Sequence, residues 1–490
     1  MTHYSVVPMF WGATFPRGAE DPNFPATPYA PEDFRVALTA IANAGYFSRL
    51  TEYGAEQVSI ADPFISDDPW PDNGNGYYVA DFTADQVVSF IQKHLPDVAP
   101  APGATPIYGV VIPNGSLLDV EALGAHHVFS NGSQSGIWFW IYGSNSLSNV
   151  CQVATHEIVE AIGADFGVPN ELCDDCRTRN PGGRKLENGL IVETYYDQGN
   201  DLCVAPGTTW QDQQMGIGGG TSARPALAAF DNKLFAAWKG VGDDQRMFWS
   251  SFDGTAWAPQ QLGIGGGSSD APALAFFGGR LFAVWKGVNT DERMFWSSFD
   301  GNTWAPQQVG VGGGTSGSPA LATLGGRLIA AWKGSGDDQR MFWSSFDGNV
   351  WSGQQVGIGG GTSTGIALAS VGDRLIAGWK GAGDDQRMFW SSFDGNVWSS
   401  QQLGIGGGTA SSPALAALGD QIYAAWRGVA NDEQMYWSRF DGHSWSPQKV
   451  GIGGGTSAGP SLGAFRSELF AAWKGVDGDE RMFWSSLCVP

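Results

Sequence analysis

A tryptophan recurs every 47 residues through the second half of the chain, and that spacing constrains the fold more than any other feature. It sits in the motif AAWKG and its variants at Trp238, Trp285, Trp332, Trp379, Trp426 and Trp473, and a second series follows in step at Trp249, Trp296, Trp343, Trp390, Trp437 and Trp484. Within each unit the short runs PALAAF, KLFAAWKG, RMFWSSFDG and a segment around W-x-PQQ are divided by GIGGGTS, GVGDDQ and FDG turns. None of these runs has helical periodicity, so each unit reads as four strands. Four-stranded units repeated at roughly 40–50 residues are propeller blades. Six periods therefore predict an all-β, six-bladed propeller over residues 206–490.

A third tryptophan series bears on closure. Trp257, Trp304, Trp351, Trp398 and Trp445 have a sixth member, Trp210, one period before the first complete blade, whereas the last blade ends at SSLCVP without a fourth strand. TTWQDQQ is expected to supply that strand and so remove an open sheet edge. Six periods span 282 residues and make position 206 equivalent to Cys488, so a Cys203–Cys488 disulfide is expected at the junction. Such a bridge closes a long loop and would stabilise the chain by roughly 4 kcal/mol or more.

Most aromatics in such an array serve as blade core. Fold alone does not require the polar loops to be so uniform, with D-D-Q-R at Asp243–Arg246, Asp337–Arg340 and Asp384–Arg387 and D-E-R at Asp291–Arg293 and Asp479–Arg481. Tryptophan faces with Arg, Asp or Lys beside them are a common way to bind sugars, and weak sites gain from being repeated. The expected carbohydrate-binding residues are Trp238, Arg246, Trp249, Trp285, Arg293, Trp296, Trp332, Arg340, Trp343, Trp379, Arg387, Trp390, Trp473, Arg481 and Trp484. The fifth unit departs from the pattern through Arg427, Gln434 and Tyr436, and its site is the one expected to fail.

AAWKGVGDDQRMFWSSFDG resembles the repeat of PLL-type bacterial propeller lectins, which bind fucose and methylated sugars, and more distantly that of tectonin-type propellers. The resemblance covers residues 207–488. It implies fucosylated or methylated glycans as partners and sites between adjacent blades. Those lectins have seven blades, and this chain has repeats for six.

Residues 1–205 show no repeat and mix strand-like runs (YSVVPMFWG, IYGVVIP, GIWFWIYG) with helix-like ones (PEDFRVALTAIANAGYFSRLTEYG, TADQVVSFIQKHL), which indicates an α/β or α+β domain. The last helix contains VATHEIVEAIGADFG, with Gly163 as its expected stop. His156 and Glu160 lie one turn apart and can hold one metal, while Glu157 stands where H-E-x-x-H enzymes carry their general base. Carboxylate in place of the second imidazole is still an acceptable zinc ligand. His126 and His127 are alternative ligands. Cys173 and Cys176 form a single C-x-x-C, expected as a local disulfide or a reduced pair rather than a zinc knuckle.

FWG near the start, L-x-x-YG at Leu50–Gly54, HEIVEAI and NDLC at Asn200–Cys203 resemble the plant phosphate-induced (EXORDIUM-like) family and its microbial relatives. That resemblance implies a metallopeptidase-like fold, zinc held by His156, Glu160 and Asp201, Glu157 as the catalytic base, and a peptide substrate. The full expectation is a multidomain chain with a metallopeptidase-like α/β domain and a lectin propeller. The alternatives are a pure lectin with an inactive N-terminal domain and a propeller that makes protein contacts only.

Charge narrows the partners. The formal net charge is −22, with 8 Lys+Arg against 25 Asp+Glu in residues 1–205 and 19 against 24 in the rest. An acidic surface repels phosphate backbones, which argues against nucleic acid. No window is long and apolar enough to span a membrane. The stretch MTHYSVVPMFWGATFP lacks the basic start and apolar core of a secretory signal, although a sugar-binding propeller is expected to act outside the cell. Five cysteines leave at least one unpaired within the chain.

Overall fold

The computed structural model describes residues 2–11, 29–68, 83–112, 124–131, 134–142, 146–167, 172–179, 183–186, 190–197, 202–207 and 209–488. The chain forms two compact units, Met1–Thr209 with Cys488–Pro490, and Trp210–Leu487.

The first unit is built on a mixed sheet of β1 (Thr2–Trp11), β2 (Ala55–Ile60), β3 (Phe64–Ser66), β4 (Thr105–Ile112), β5 (Gly124–Asn131) and β6 (Gln134–Tyr142). The order is β2-β1-β4-β6-β5, with β3 also pairing β1; the pairs among β1, β2, β4 and β6 are parallel, and β5 runs antiparallel along the edge beside β6. The near-continuous apolar runs of β1, β4 and β6 follow from burial on both faces. Alternate residues divide between two layers. Tyr4, Val6 and Phe10 pack with helices α1 (Pro31–Asn43) and α3 (Leu147–Asp165), whereas Val7, Met9 and Trp11 pack with α2 (Ala84–His94). Gly109 of β4 is required where the Phe139 ring crosses it, because a Cβ there would run into the ring.

Two helix boundaries differ from those expected from the sequence. The run from Pro31 to Gly54 is broken at Gly45, whose φ of +83° turns the chain into a separate 3-10 segment, Tyr46–Tyr53. Helix α3 continues past Gly163 to Asp165, since a glycine inside a buried helix costs only about 1 kcal/mol and the helix's packing outweighs it.

The cysteine expectations are corrected. The disulfide joins Cys176, on α4 (Leu172–Arg179), to Cys203, and leaves Cys151, Cys173 and Cys488 as buried thiols. Cys488 does arrive at Cys203, but its thiol meets the Cys203 carbonyl at 3.4 Å. The thiol of Cys173 instead faces the His156 carbonyl at 3.7 Å. Peptide mapping of the unreduced protein is expected to recover Cys176 linked to Cys203, with the other three thiols alkylated only after unfolding. A Cys203–Cys488 crosslink would contradict this arrangement. Cys176→Ser is expected to cost about 3 kcal/mol through the 27-residue loop it opens.

The second unit is a six-bladed propeller. Each blade is an antiparallel four-stranded sheet, the first being Ala226–Phe230, Lys233–Lys239, Met247–Phe252 and Gln261–Leu262. The sixth blade takes its outermost strand from the start of the array: Gln214 and Met215 pair with Trp484 and Phe483. The innermost strands line a central channel with Ala and Leu side chains. Arg224 breaks the symmetry there, reaching the Pro413 carbonyl at 2.9 Å and the Ser318 hydroxyl at 3.3 Å across the ring.

Candidate functional site

The first tryptophan series proves to be blade core. Trp238, Trp285, Trp332, Trp379 and Trp473 are fully buried. Each stacks on the aromatic of the next strand, as Trp238 does on Phe248 at 6.3 Å, and lies directly under a glycine of the preceding GGG turn. No ring face is left for a ligand, so these five positions do not form sugar platforms.

The second series fills the seams between blades. Trp249 stacks on Phe235 of its own blade and meets Phe299 of the next at 5.1 Å; Trp296 and Trp484 repeat the pattern against Phe346 and Phe252 at 5.2 Å. Trp343 and Trp390 make the same contact across the seam with Phe393 and Phe440 at 4.9 and 5.0 Å, with Ile329 and Ile376 standing where the first blade has Phe235. The third series, which in the sequence bore only on closure, also stands at these seams. Trp257, Trp351 and Trp398 each lie edge-on to the preceding blade's Trp484, Trp296 and Trp343 at 6.4 Å, and Trp210 to Trp437 likewise.

The arginines are the exposed members of the expected set. Arg246, Arg293, Arg340, Arg387 and Arg481 have side chains 65–72% exposed. Each is forked on the aspartate two residues earlier, through Nε and Nη2, and stands 5.3–5.4 Å above the phenylalanine two residues later. Opposite each phenylalanine the short outer strand presents an exposed aliphatic side chain: Leu262, Val309, Val356, Leu403 and Met215. The recurring unit is thus a guanidinium over a phenyl ring beside an exposed aliphatic side chain. The sequence signal for it was D-x-R-x-F at constant spacing.

Hydrogen bonds from the arginine side chain and its own N–H pull the Asp244, Asp338, Asp385 and Asp479 carboxyls down to about 2. The fork is therefore a neutral pair over the whole ordinary pH range. The residue between Asp and Arg binds the blades together: Gln245 accepts from the Asn289 N–H at 2.6 Å, Gln339 from Gly383 at 2.6 Å, and Glu480 from Gly242 at 3.0 Å. This belt gives loop uniformity a structural cause that the sequence did not disclose. In the fifth blade Tyr436 donates to Asp432 at 2.9 Å in place of the missing arginine, while Arg427 turns to the Ser457 and Ala430 carbonyls.

In the first unit, α3 brings His156, Glu157 and Glu160 toward the edge strand β5 and the start of α4. Glu157 and Glu160 are buried, at 4% and 3% exposure. Glu160 is held from both sides. Its Oε1 accepts from the N–H groups of Cys173 and Asp174 at 3.1 and 3.2 Å, and its Oε2 lies 3.1 Å from His156 Nε2 and 3.4 Å from His126 Nδ1. Glu157 Oε2 is 3.3 Å from the same His126 nitrogen. His156 also faces Asp174 at 3.6 Å. Burial works against its charge, but the Glu160 hydrogen bond and the charges of Glu160, Glu157 and Asp174 outweigh that and raise it to about 9.

Among the described residues two overlapping donor sets result, His126–Glu157–Glu160 and His156–Glu160–Cys173, each with ligand atoms within 4.8 Å of one another. Two ligands about 2.0–2.1 Å from one tetrahedral zinc lie about 3.3–3.4 Å apart, so the spacings from His126 to Glu157 and to Glu160 fit a metal. The expected set is only partly assembled: His156 and Glu160 meet, and Asp201 lies outside the described residues. His127 is on the other face of β5, beside Trp138 at 5.1 Å. Among the described residues no helix is long and apolar enough to cross a membrane.

The sequence matches no protein-family model and no curated relative. Similar solved structures include the six-bladed, fucose-recognising lectin of Aleuria aurantia, at 16% identity and TM-score 0.41 over 54% of this chain and 90% of that one. AofleA of Arthrobotrys oligospora, as a mutant, is similar at 13% and 0.41 over 58% and 92%. A GH43_1 enzyme of Xanthomonas citri is similar at 11% and 0.36 over 56% and 90%. Likeness at this level carries no function over to this chain, whose own residues must supply it.

Proposed function

We propose that the propeller is a multivalent carbohydrate-binding module with five equivalent sites at its outer strands and an altered sixth. The reading is supported by the fivefold recurrence of an exposed guanidinium over a phenyl ring beside an exposed aliphatic side chain. Because each arginine is already neutralised by its aspartate, the site favours a neutral polar ligand over an anion. The Nη1 edge is left to donate to ring or hydroxyl oxygens, although that of Arg481 faces the Met215 sulfur at 4.0 Å, and the apolar strip suits the methyl-bearing face of a deoxy or O-methylated sugar. Sites of this size are individually weak and become useful in parallel.

A glycan array probed with the full-length protein tests this. Binding to fucosylated or O-methylated glycans is expected, and combined Arg340→Ala and Arg387→Ala is expected to lower avidity at least tenfold, roughly the loss of multivalent enhancement. Binding is expected to be level from about pH 4 to pH 8, since the fork aspartates stay ionised throughout. Silence across the array would remove the reading and favour a protein-contact propeller.

A second reading concerns the first unit, which we infer holds a divalent metal at the junction of α3 and β5. Its support is the spacing of nitrogen and carboxylate donors around Glu160. A bound ion would supply Lewis-acid polarisation or an acidified water, the chemistry a metallopeptidase uses. The purified protein is expected to contain zinc or a similar divalent ion, and hydrolysis of a peptide substrate to stop on chelation.

A further inference from the structure

The geometry points to His126 Nδ1, Glu157 Oε2 and Glu160 Oε2 as the metal ligands, with Glu157 a ligand rather than a base and His156 an outer partner that orients Glu160. The inference rests on the reading that the first unit holds a divalent metal, and it reassigns the residues of the H-E-x-x-E helix.

Three observations carry it. The first is spacing: His126 Nδ1 lies 3.3 Å from Glu157 and 3.4 Å from Glu160, close to the edge of a zinc tetrahedron. One imidazole and two carboxylates form a donor set suited to zinc or manganese.

The second is the state of Glu157. It is a buried carboxylate whose polar contact among the described residues is this one long approach to His126. A buried carboxylate ordinarily gathers two or three hydrogen bonds or a full counter-charge, as Glu160 does beside it. Among the described residues Glu157 has only the long approach of His126 and the more distant charge of His156, and a cation between it and His126 supplies a direct partner. The strand opposite is cut away to admit it. Gly124 of β5 lies so close that an added Cβ would stand 2.6 Å from Glu157 Oε1.

The third is the position of His156. Its Nε2 is already placed between the carboxylates of Glu160 and Asp174, at 3.1 and 3.6 Å. Glu160 therefore has one oxygen fixed by the two N–H groups opening α4 and the other turned toward both imidazoles. An outer partner of this kind fixes a ligating carboxylate without touching the metal.

The test uses the full-length protein, stripped with chelator and titrated with Zn2+ against a chromophoric competitor, and with Co2+ by visible absorption. His126→Ala and Glu157→Gln are each expected to weaken Zn2+ binding by more than about 100-fold, and His156→Ala by about 10–100-fold, the range typical of an orienting partner. His126→Cys, which keeps a donor atom at the position, is expected to retain binding and add a thiolate-to-Co2+ charge-transfer band. It preserves the test if His126→Ala fails to fold. Gly124→Ala is expected to weaken binding by displacing Glu157 while leaving His156 in place. The assignment is overturned if Glu157→Gln binds Zn2+ as tightly as the parent, if His156→Ala loses more than His126→Ala, or if His126→Cys shows no thiolate band. A parent protein that binds neither ion is a different result, and defeats the metal reading itself.

Discussion

A fragment beginning at Gly216 is expected to melt about 10 °C below one beginning at Trp210, and to self-associate where the longer fragment stays monomeric. The six residues between them close the ring. Gln214 and Met215 pair with Phe483 and Trp484, the Gln211 N–H donates to the Ser486 carbonyl at 2.8 Å, and the Ser485 hydroxyl donates to the Gln211 carbonyl at 2.6 Å. Gln213 accepts from the Gly454 N–H at 2.8 Å, and Trp210 is buried against Trp437. Several hydrogen bonds at about 1 kcal/mol each and one buried indole together contribute about 4 kcal/mol or more. Without them the strand Met482–Cys488 presents an open row of N–H and C=O groups to any other chain. Scanning calorimetry and light scattering on the two fragments read both effects. Equal melting temperatures would show that the ring does not depend on this closure.

The closure was legible in the sequence because it rests on counting: a sixth Trp before the first blade and a missing strand after the last. Exposure was not legible by the same means. Trp332 and Arg340 both recur at the 47-residue period, yet one is sealed under Gly312 and the other stands 72% exposed. Periodicity says that two positions are equivalent between blades, not which way either faces. The aspartates of the charged loops were visible, but the belt from Gln245 to Asn289 crosses from one blade to the next, and a repeat read one unit at a time does not show it. In the first unit His156 and Glu160 were found because one helical turn relates them. His126, one of two histidines the sequence offered as alternatives, meets Glu160 from an antiparallel edge strand some 30 residues earlier, and the choice between it and His127 depends on which face of that strand each occupies. The disulfide failed for a related reason. Cys488 comes to the right place, but Cys176 reaches the Cys203 sulfur from α4, whose position no repeat constrains.

Trp332→Ala is expected to destabilise the propeller by about 3–5 kcal/mol, while Arg340→Ala, eight residues on, is expected to leave its stability close to that of the parent. The indole is fully buried, stacked on Phe342 at 6.3 Å and packed in the cluster that joins the second and third blades. Its removal leaves a cavity that the glycine turn above it can only partly fill, because Gly312 carries no side chain to move inward. The complementary change, Gly312→Ala, forces a Cβ into the same ring and is expected to be destabilising from the opposite direction, by about 1–3 kcal/mol. Arg340 loses an exposed ion pair and a cation–π contact, each worth little in water. Urea denaturation followed by tryptophan fluorescence measures all three. If Trp332→Ala left stability unchanged and abolished sugar binding, the indole would be a ligand platform after all. The expected result is the reverse: Trp332 governs whether the blade forms, and Arg340 governs what the formed blade can hold.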